Sequence, residues 1–406
     1  MTALALALAL SAASGPETLV VGVLADPVTL VPHRASDIVG SAIVGSVCET
    51  LVRYRSDGRR PEATLATTWA TVDRRVWTFT LREGVRFQDG APLDADAVVA
   101  NLDDLRRERG FPGRARRIGP HVVELTLDQP SAALLATLSQ PFFCIESPGR
   151  APGRPPIGTG PFRIVSSGPG RVELERHAGY WGGPPRLKKV VFRRFAGEDA
   201  LVEALFAGEV DVTNAIGQDR VGRLREHPAV TLDSRTGLNL AFLSVNNESR
   251  PLSDVRVRQA LSRAIDRDVI VRELLGGHGE PARNPLPPLL AGYDPRAKAL
   301  HLDRAGARRL LAEAGFPAGF ETSLLAVSSP RAYLPSPLRM AARIQADLAQ
   351  VGIKAALREA SSWTEYIGRA SRGEYDLCLL GWQADTPDPN DFLSALLSTE
   401  ALGVTN

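Results

Sequence analysis

The sequence predicts an α/β protein of layered helices and sheets, divided into two or three domains. Three observations carry that expectation. At 406 residues the chain exceeds the size at which a single hydrophobic core stops growing. Its second half alternates helical with strand-like apolar spacing, the order of a layered α/β domain. And 30 prolines with 36 glycines supply more connections than a helical bundle needs.

Elements follow in order along the chain. Leu19–Leu24 reads as a first buried strand, and the apolar spacing of Val39–Val52 suits one helix face. Val76–Arg82 alternates as a half-buried strand. A turn at Asp89-Gly90 precedes a helix that starts near Asp94, with Val98, Leu102 and Leu105 on one face. Val122–Leu127 alternates again. A basic Pro/Gly-rich link, "SPGRAPGRPPIGTGP", occupies 147–161. Strands are expected at Phe162–Val165, Arg171–His177 and Lys189–Phe195, then a helix at Glu198–Ala207 and a short strand Val210–Thr213.

A different rhythm begins near residue 238. Leu240–Val245 reads as a strand, and Ser253 as the cap of a helix buried through Val257, Leu261, Ala264 and Ile265. Asp266 and Asp303 start two more helices, which end at Gly276-Gly277 and Gly315. Met340, Ile344, Leu348 and Val351 mark a helix stopped by Gly352. The strand Ile353–Leu357, a helix from Ser362 and the buried strand Tyr375–Leu380 complete the pattern.

Composition narrows the function. An apolar fraction of 44% and a charged fraction of 23% are those of an ordinary globular protein. With 48 basic against 46 acidic residues, nothing points to nucleic acid or an acidic membrane surface. Residues 1–15, opening "MTALALALALSAAS", read as a signal peptide, too short to anchor in a bilayer. No Lys or Arg precedes its apolar stretch, a departure from the usual pattern. Cys48, Cys144 and Cys378 sit in apolar settings with no C-x-x-C pair, so core thiols and no disulfide are expected.

Catalysis has no positive signal. The six histidines, at 33, 121, 177, 227, 278 and 301, show no metal-ligand spacing. There is no Gly-x-Ser-x-Gly elbow, and "GTGP" at 158–161 lacks the rest of either phosphate-binding glycine loop. The expectation is a protein that is not an enzyme and needs no cofactor. The most informative stretch is "GWQADTPDPNDFL", 381–393, which places a tryptophan and three carboxylates at the end of a core strand. Strand ends are where rigid scaffolds present side chains to ligands.

That stretch, with "TFTLREGVRFQDGAPLDADAVVANLDDL", "IGTGPFRI" and "DVRVRQALSRAIDRDVI", resembles four landmarks of the peptide/nickel-type (family 5) extracytoplasmic solute-binding proteins of ABC importers, in the family's order. The resemblance runs from about residue 18 to the chain end. It implies a two-lobed periplasmic binding protein-like fold (type II, cluster C) with an extra α+β domain inserted in lobe one. Lobe one would take 16–55 and 158–245, the extra domain 56–157, and lobe two 246–406, incomplete at its C-terminus. It also implies a small-molecule or peptide ligand, a membrane permease and ATPase complex as partner, a monomer, and a periplasmic or extracytoplasmic location. The expected cargo is a peptide. The same fold carrying an oligosaccharide, a nickel chelate or haem, or a non-transport ligand sensor, stays open.

Site residues come from the same resemblance. Gly381, Trp382 and Asp385 match the Gly-Trp-x-x-Asp motif, whose aspartate in peptide-binding members accepts the ligand's α-ammonium group. Asp385 otherwise serves a turn or helix cap. Trp382 is either core packing or an apolar ligand surface. Arg331 is a candidate for the ligand carboxylate, by bidentate geometry. Asn246, at the expected lobe crossing, either touches the ligand or caps the connector. Asp388 and Asp391 are expected in turns and caps.

Overall fold

A computed structural model describes residues 17–401, except 36, 55–59, 150, 152, 218, 219 and 332. The expected signal peptide lies outside the described residues. The chain divides into two compact units, Met1–Asp233 and Ser234–Asn406.

Two four-stranded sheets build the first unit. In one, the order is β1 (Thr18–Val23), β10 (Lys189–Arg194), β9 (Arg171–Arg176), β8 (Phe162–Gly168), with β1 parallel to β10 and the other pairs antiparallel. The helix Ile38–Val47 packs Ile43, Val44 and Val47 against Leu19, Val21 and Leu174. Asp37 caps that helix by accepting the Gly40 N–H at 2.8 Å, as expected of a carboxylate facing unpaired helix N–H groups. Val210–Thr213, expected as a strand, contributes one parallel bridge, Val21 with Val212.

The other sheet is antiparallel throughout, in the order β4 (Ala66–Thr71), β5 (Val76–Leu81), β7 (Val122–Leu127), β6 (Gly113–Gly119). A two-stranded pair, β2 (Val52–Tyr54) and β3 (Pro61–Ala63), adjoins it in sequence. The helix Ala95–Arg109 starts at Asp94, whose carboxylate accepts the Ala97 N–H at 2.9 Å. It buries Val98, Leu102 and Leu105 in a core shared with Phe79, Val123 and Leu125.

Two of the sequence landmarks meet where these sheets adjoin. The Gln88 amide donates to the carbonyls of Val47, Gly160 and Phe162, at 2.8–3.3 Å, and accepts from the Gly158 N–H. A Cβ on Gly160 would lie 2.7 Å from the Val47 carbonyl oxygen. The glycines of "IGTGP" are therefore close-packing residues, which explains the missing phosphate pattern.

In the second unit the sheet order is β11 (Asn239–Val245), β14 (Leu377–Gln383), β12 (Phe320–Val327), β13 (Ile353–Ala360). β12 runs parallel to both neighbours, and β11 is antiparallel to β14. The helix Pro337–Ala349 covers one face, with Met340, Ile344 and Leu348 on Leu324, Ala326 and Leu379. On the other face, Tyr366 of the helix Trp363–Ser371 packs with Leu325, Val327 and Cys378. A strand covered on both sides needs no alternation, and "LLAV" in β12 is such a run.

Three expectations are corrected. β11, assigned to lobe one by a crossing at 245/246, pairs along its whole length with β14, from Asn239 with Gln383 to Val245 with Leu377. β12, a central strand, was not anticipated, because its polar first half masks the apolar second. The helix Val255–Ala264 is capped by Asp254, not Ser253, since a carboxylate one residue later reaches the Arg256 N–H at 2.8 Å.

Candidate functional site

Three of the expected residues, Arg331, Trp382 and Asp385, gather at one edge of the second unit's sheet. β12, β13 and β14 are parallel, so their C-terminal ends lie together, the usual ligand edge of open α/β sheets. Arg331 follows the end of β12, Trp363 follows β13, and Trp382 and Asp385 close β14. Antiparallel β11 begins at this edge, where Leu240 pairs with Trp382.

Asp391 organises the end of β14. One of its carboxylate oxygens accepts the Trp382 indole N–H at 3.1 Å. The other accepts the backbone N–H groups of Asp385 and Thr386 at 2.7 and 2.8 Å. Asp388 accepts the Asn390 N–H at 2.8 Å, the turn role expected of it. Half-buried Trp382 packs in a satellite cluster with Leu286, Leu290, Ala384 and Phe392. Its ring is thus held on both its polar and apolar sides.

Asp385 keeps much of its surface open to solvent while its carboxyl lies among neighbours, and no described residue donates a hydrogen bond to it. Partial burial and then the neighbouring Asp391 charge push its carboxyl above the usual range. The protein fixes the Asp385 backbone, and among the described residues its acid has no donor. Such an acid gains most from a cation brought from outside.

The Arg331 guanidinium lies 3.7 Å from the centre of the Trp363 ring, a cation–π stack. Its backbone is pinned by a two-way bridge with Leu334, at 3.0 and 2.9 Å. No described carboxylate pairs with it. Tyr333, two residues on, packs its ring against Gly381; a Cβ there would strike the ring and sit 2.6 Å from the Leu240 carbonyl oxygen. Burial pushes the Tyr333 phenol up, with the Arg331 charge acting the other way. The glycine of the Gly-Trp-x-x-Asp motif therefore makes room for an aromatic ring.

Asn246 does not join this group. Its amide donates to the carbonyls of Gly373 and Tyr375 at 3.1 and 3.0 Å and accepts the Glu248 N–H at 3.0 Å. Those bonds tie the connector after β11 to the start of β14. Among the described residues no group of three or more His, Cys, Asp or Glu is placed to hold a metal ion. No described helix is long and apolar enough to cross a membrane.

Residues 60–403 match the family model of the bacterial extracellular solute-binding proteins, family 5 (middle). The chain belongs to this family. It is thus a solute-binding receptor of the ABC-importer class. Among family 5 relatives, the dipeptide-binding protein of Escherichia coli is 32% identical over 376 residues, covering 83% of this chain and 70% of its own. The heme-binding protein A of Haemophilus influenzae is 31% identical, with 89% and 73% covered. The solved structure of HbpA2 from Haemophilus parasuis superposes with a TM-score of 0.88 at 30% identity, covering 96% of this chain and 84% of that one. The α/β periplasmic binding protein fold is the family's own.

Sequence reasoning missed Tyr333, Trp363 and the hub role of Asp391. Trp363 and Arg331 come from separate connections, and one sequence gives no sign that they meet. Asp391 carried a signal: a carboxylate nine residues after an indole N–H donor, across a proline-rich turn, can reach back to it.

Proposed function

We propose that this family 5 receptor binds a short peptide by its charged ends. Asp385 takes the α-ammonium group, Arg331 the α-carboxylate, and Trp382 with Tyr333 provides apolar area that tolerates varied side chains. The observation that carries the reading is the Asp385 carboxylate, unmatched by any described donor while its own N–H is tied to Asp391. An ammonium ion satisfies it with charge-assisted hydrogen bonds. Similarity to the E. coli dipeptide-binding protein supports this cargo. The similarly close heme-binding relative makes haem the competitor; its paired carboxylates suit an exposed acid poorly. The receptor acts as a monomer outside the cytoplasm, exported by the leader at 1–15, and hands ligand to a membrane permease with its ATPase. It binds without turnover.

Calorimetric titration of Asp385→Asn with a dipeptide and its N-acetylated form tests the assignment. A charged hydrogen bond of about 1.5–3 kcal/mol corresponds to a roughly 10- to 150-fold loss for the free amine, with the acetylated form unaffected. Equal losses would remove Asp385 from the amine role. Tighter binding of haem than of any dipeptide would replace the cargo.

A further inference from the structure

The chain enters the β4-β5-β7-β6 region just after Cys48 and returns from it at Cys144. The apolar core of that region runs from Leu51 to Ile145, while Cys48 and Cys144 belong to the core around β1 and the helix Ile38–Val47. The two cysteines therefore stand at the neck between two cores. An antiparallel bridge joins Glu49 to Ile145 there, with the Ile145 N–H donating to the Glu49 carbonyl at 2.8 Å. Cys48 is 2% exposed and Cys144 fully buried, and the Glu49–Ile145 bridge between their chain neighbours sets the two cysteines near each other in one core. The third cysteine, Cys378, lies in the other unit, where it bonds to the Tyr366 hydroxyl at 3.4 Å. The odd count thus resolves into a neighbouring pair in one unit and a single thiol in the other.

We propose that Cys48 and Cys144 are a disulfide site, oxidised as the chain folds outside the cytoplasm, and that the bond staples the neck of the inserted sheet. The family's members are extracellular, and disulfides persist in such oxidising surroundings. The oxidant is a disulfide of the compartment, a protein or small-molecule one. One cysteine thiolate attacks it, forming a mixed disulfide and releasing one thiol. The second cysteine thiolate then displaces the other thiol and closes the Cys48–Cys144 bond. Two protein thiols are oxidised, one external disulfide is reduced to two thiols, and two protons leave the cysteines for those products. In the closed fold, contact with Cys144 and burial hold the Cys48 thiol well above its usual range. The bond accordingly forms before the core closes, since thiolate is the reactive species, and is shielded from reductant afterwards. It closes a loop of roughly a hundred residues, a length at which cross-linking strongly restricts the unfolded chain.

The test refolds the full chain from denaturant in mainly oxidised glutathione, then alkylates it in denaturant without reductant. The expected product carries alkylation on one of its three cysteines, Cys378, is lighter than the reduced chain by two hydrogen atoms once that alkyl group is subtracted, and yields a peptide linking Cys48 to Cys144. Its urea midpoint falls on full reduction, whereas the midpoint of Cys48→Ser is unchanged by reductant. Alkylation of all three cysteines in the refolded wild type, or a mapped bond that includes Cys378, overturns the proposal. Both readouts come from the wild-type chain, so they stand even where a serine variant fails to fold.

Discussion

Asp391 accepts the Trp382 indole N–H at 3.1 Å while its second oxygen holds the Asp385 backbone N–H at 2.7 Å. One carboxylate therefore fixes both the aromatic and the acidic member of the site. Asp391→Ala leaves the indole and two backbone donors without their acceptor. We expect a stability loss of about 1.5–3 kcal/mol, read as a lower urea midpoint, together with weaker ligand binding. Asp391→Asn keeps the shape and one acceptor oxygen, so its loss should fall between wild type and alanine.

Asp385 behaves oppositely. Its carboxyl is pushed above the usual range by partial burial and by Asp391, so its ionised form is disfavoured in the folded chain. Near neutral pH, Asp385→Asn should not lower the melting temperature, although it removes binding of the free amine. The pH dependence has a definite sign. Ammonium binding needs the ionised acid, so affinity falls as pH drops through the raised value, earlier than for an ordinary aspartate. Titrations of one dipeptide at several pH values check this; affinity that holds level down into the usual carboxylate range contradicts it.

Much of this arrangement was legible in residue patterns, and the remainder has physical reasons for being hidden. Asp94 and Asp303 cap helices as read, because capping is a local contact within three residues. Val98, Leu102 and Leu105 are buried as their spacing requires. β12 escaped because a strand covered on both faces gives no alternation, and Phe320–Ser323 dilutes its apolar run. Asn246 was read both ways, since an amide at a connector looks the same whether it meets a ligand or the carbonyls of Gly373 and Tyr375. The stack of Arg331 on Trp363 joins residues 32 positions apart, and pattern alone cannot place them together.

That stack has its own consequence. A guanidinium stacked on an indole face has its planar fork already oriented for a carboxylate, with only Nη1 donating elsewhere among the described residues, to the Pro330 carbonyl at 3.3 Å. Arg331→Lys retains charge but loses the plane, and Arg331→Ala loses both. Affinity for a peptide with a free C-terminal carboxylate should fall about tenfold or more in the alanine variant, equivalent to about 1.4 kcal/mol, with lysine between. A C-terminally amidated peptide should bind wild type and both variants alike. A matching loss for the amide would assign Arg331 to the packing of Trp363 alone.

Glu49 in the first unit offers a test of the neck that is independent of ligand. Its carboxylate accepts from Thr159 Oγ1 at 2.8 Å, the Tyr180 hydroxyl at 2.9 Å and Trp181 Nε1 at 2.7 Å. Burial pushes its carboxyl up, and the three donors only partly offset that. The folded chain thus holds the Glu49 proton to higher pH than the unfolded chain does. Between the usual carboxylate range and the raised value the folded state carries more protons, so stability from this group falls as pH rises. Glu49→Gln keeps the shape and one acceptor oxygen, and it should flatten that slope with little loss at neutral pH. Glu49→Ala strands the three donors and should cost about 3 kcal/mol. Urea midpoints measured across that pH range for all three proteins decide the matter: parallel lines for wild type and Glu49→Gln would show that this carboxyl does not titrate with folding.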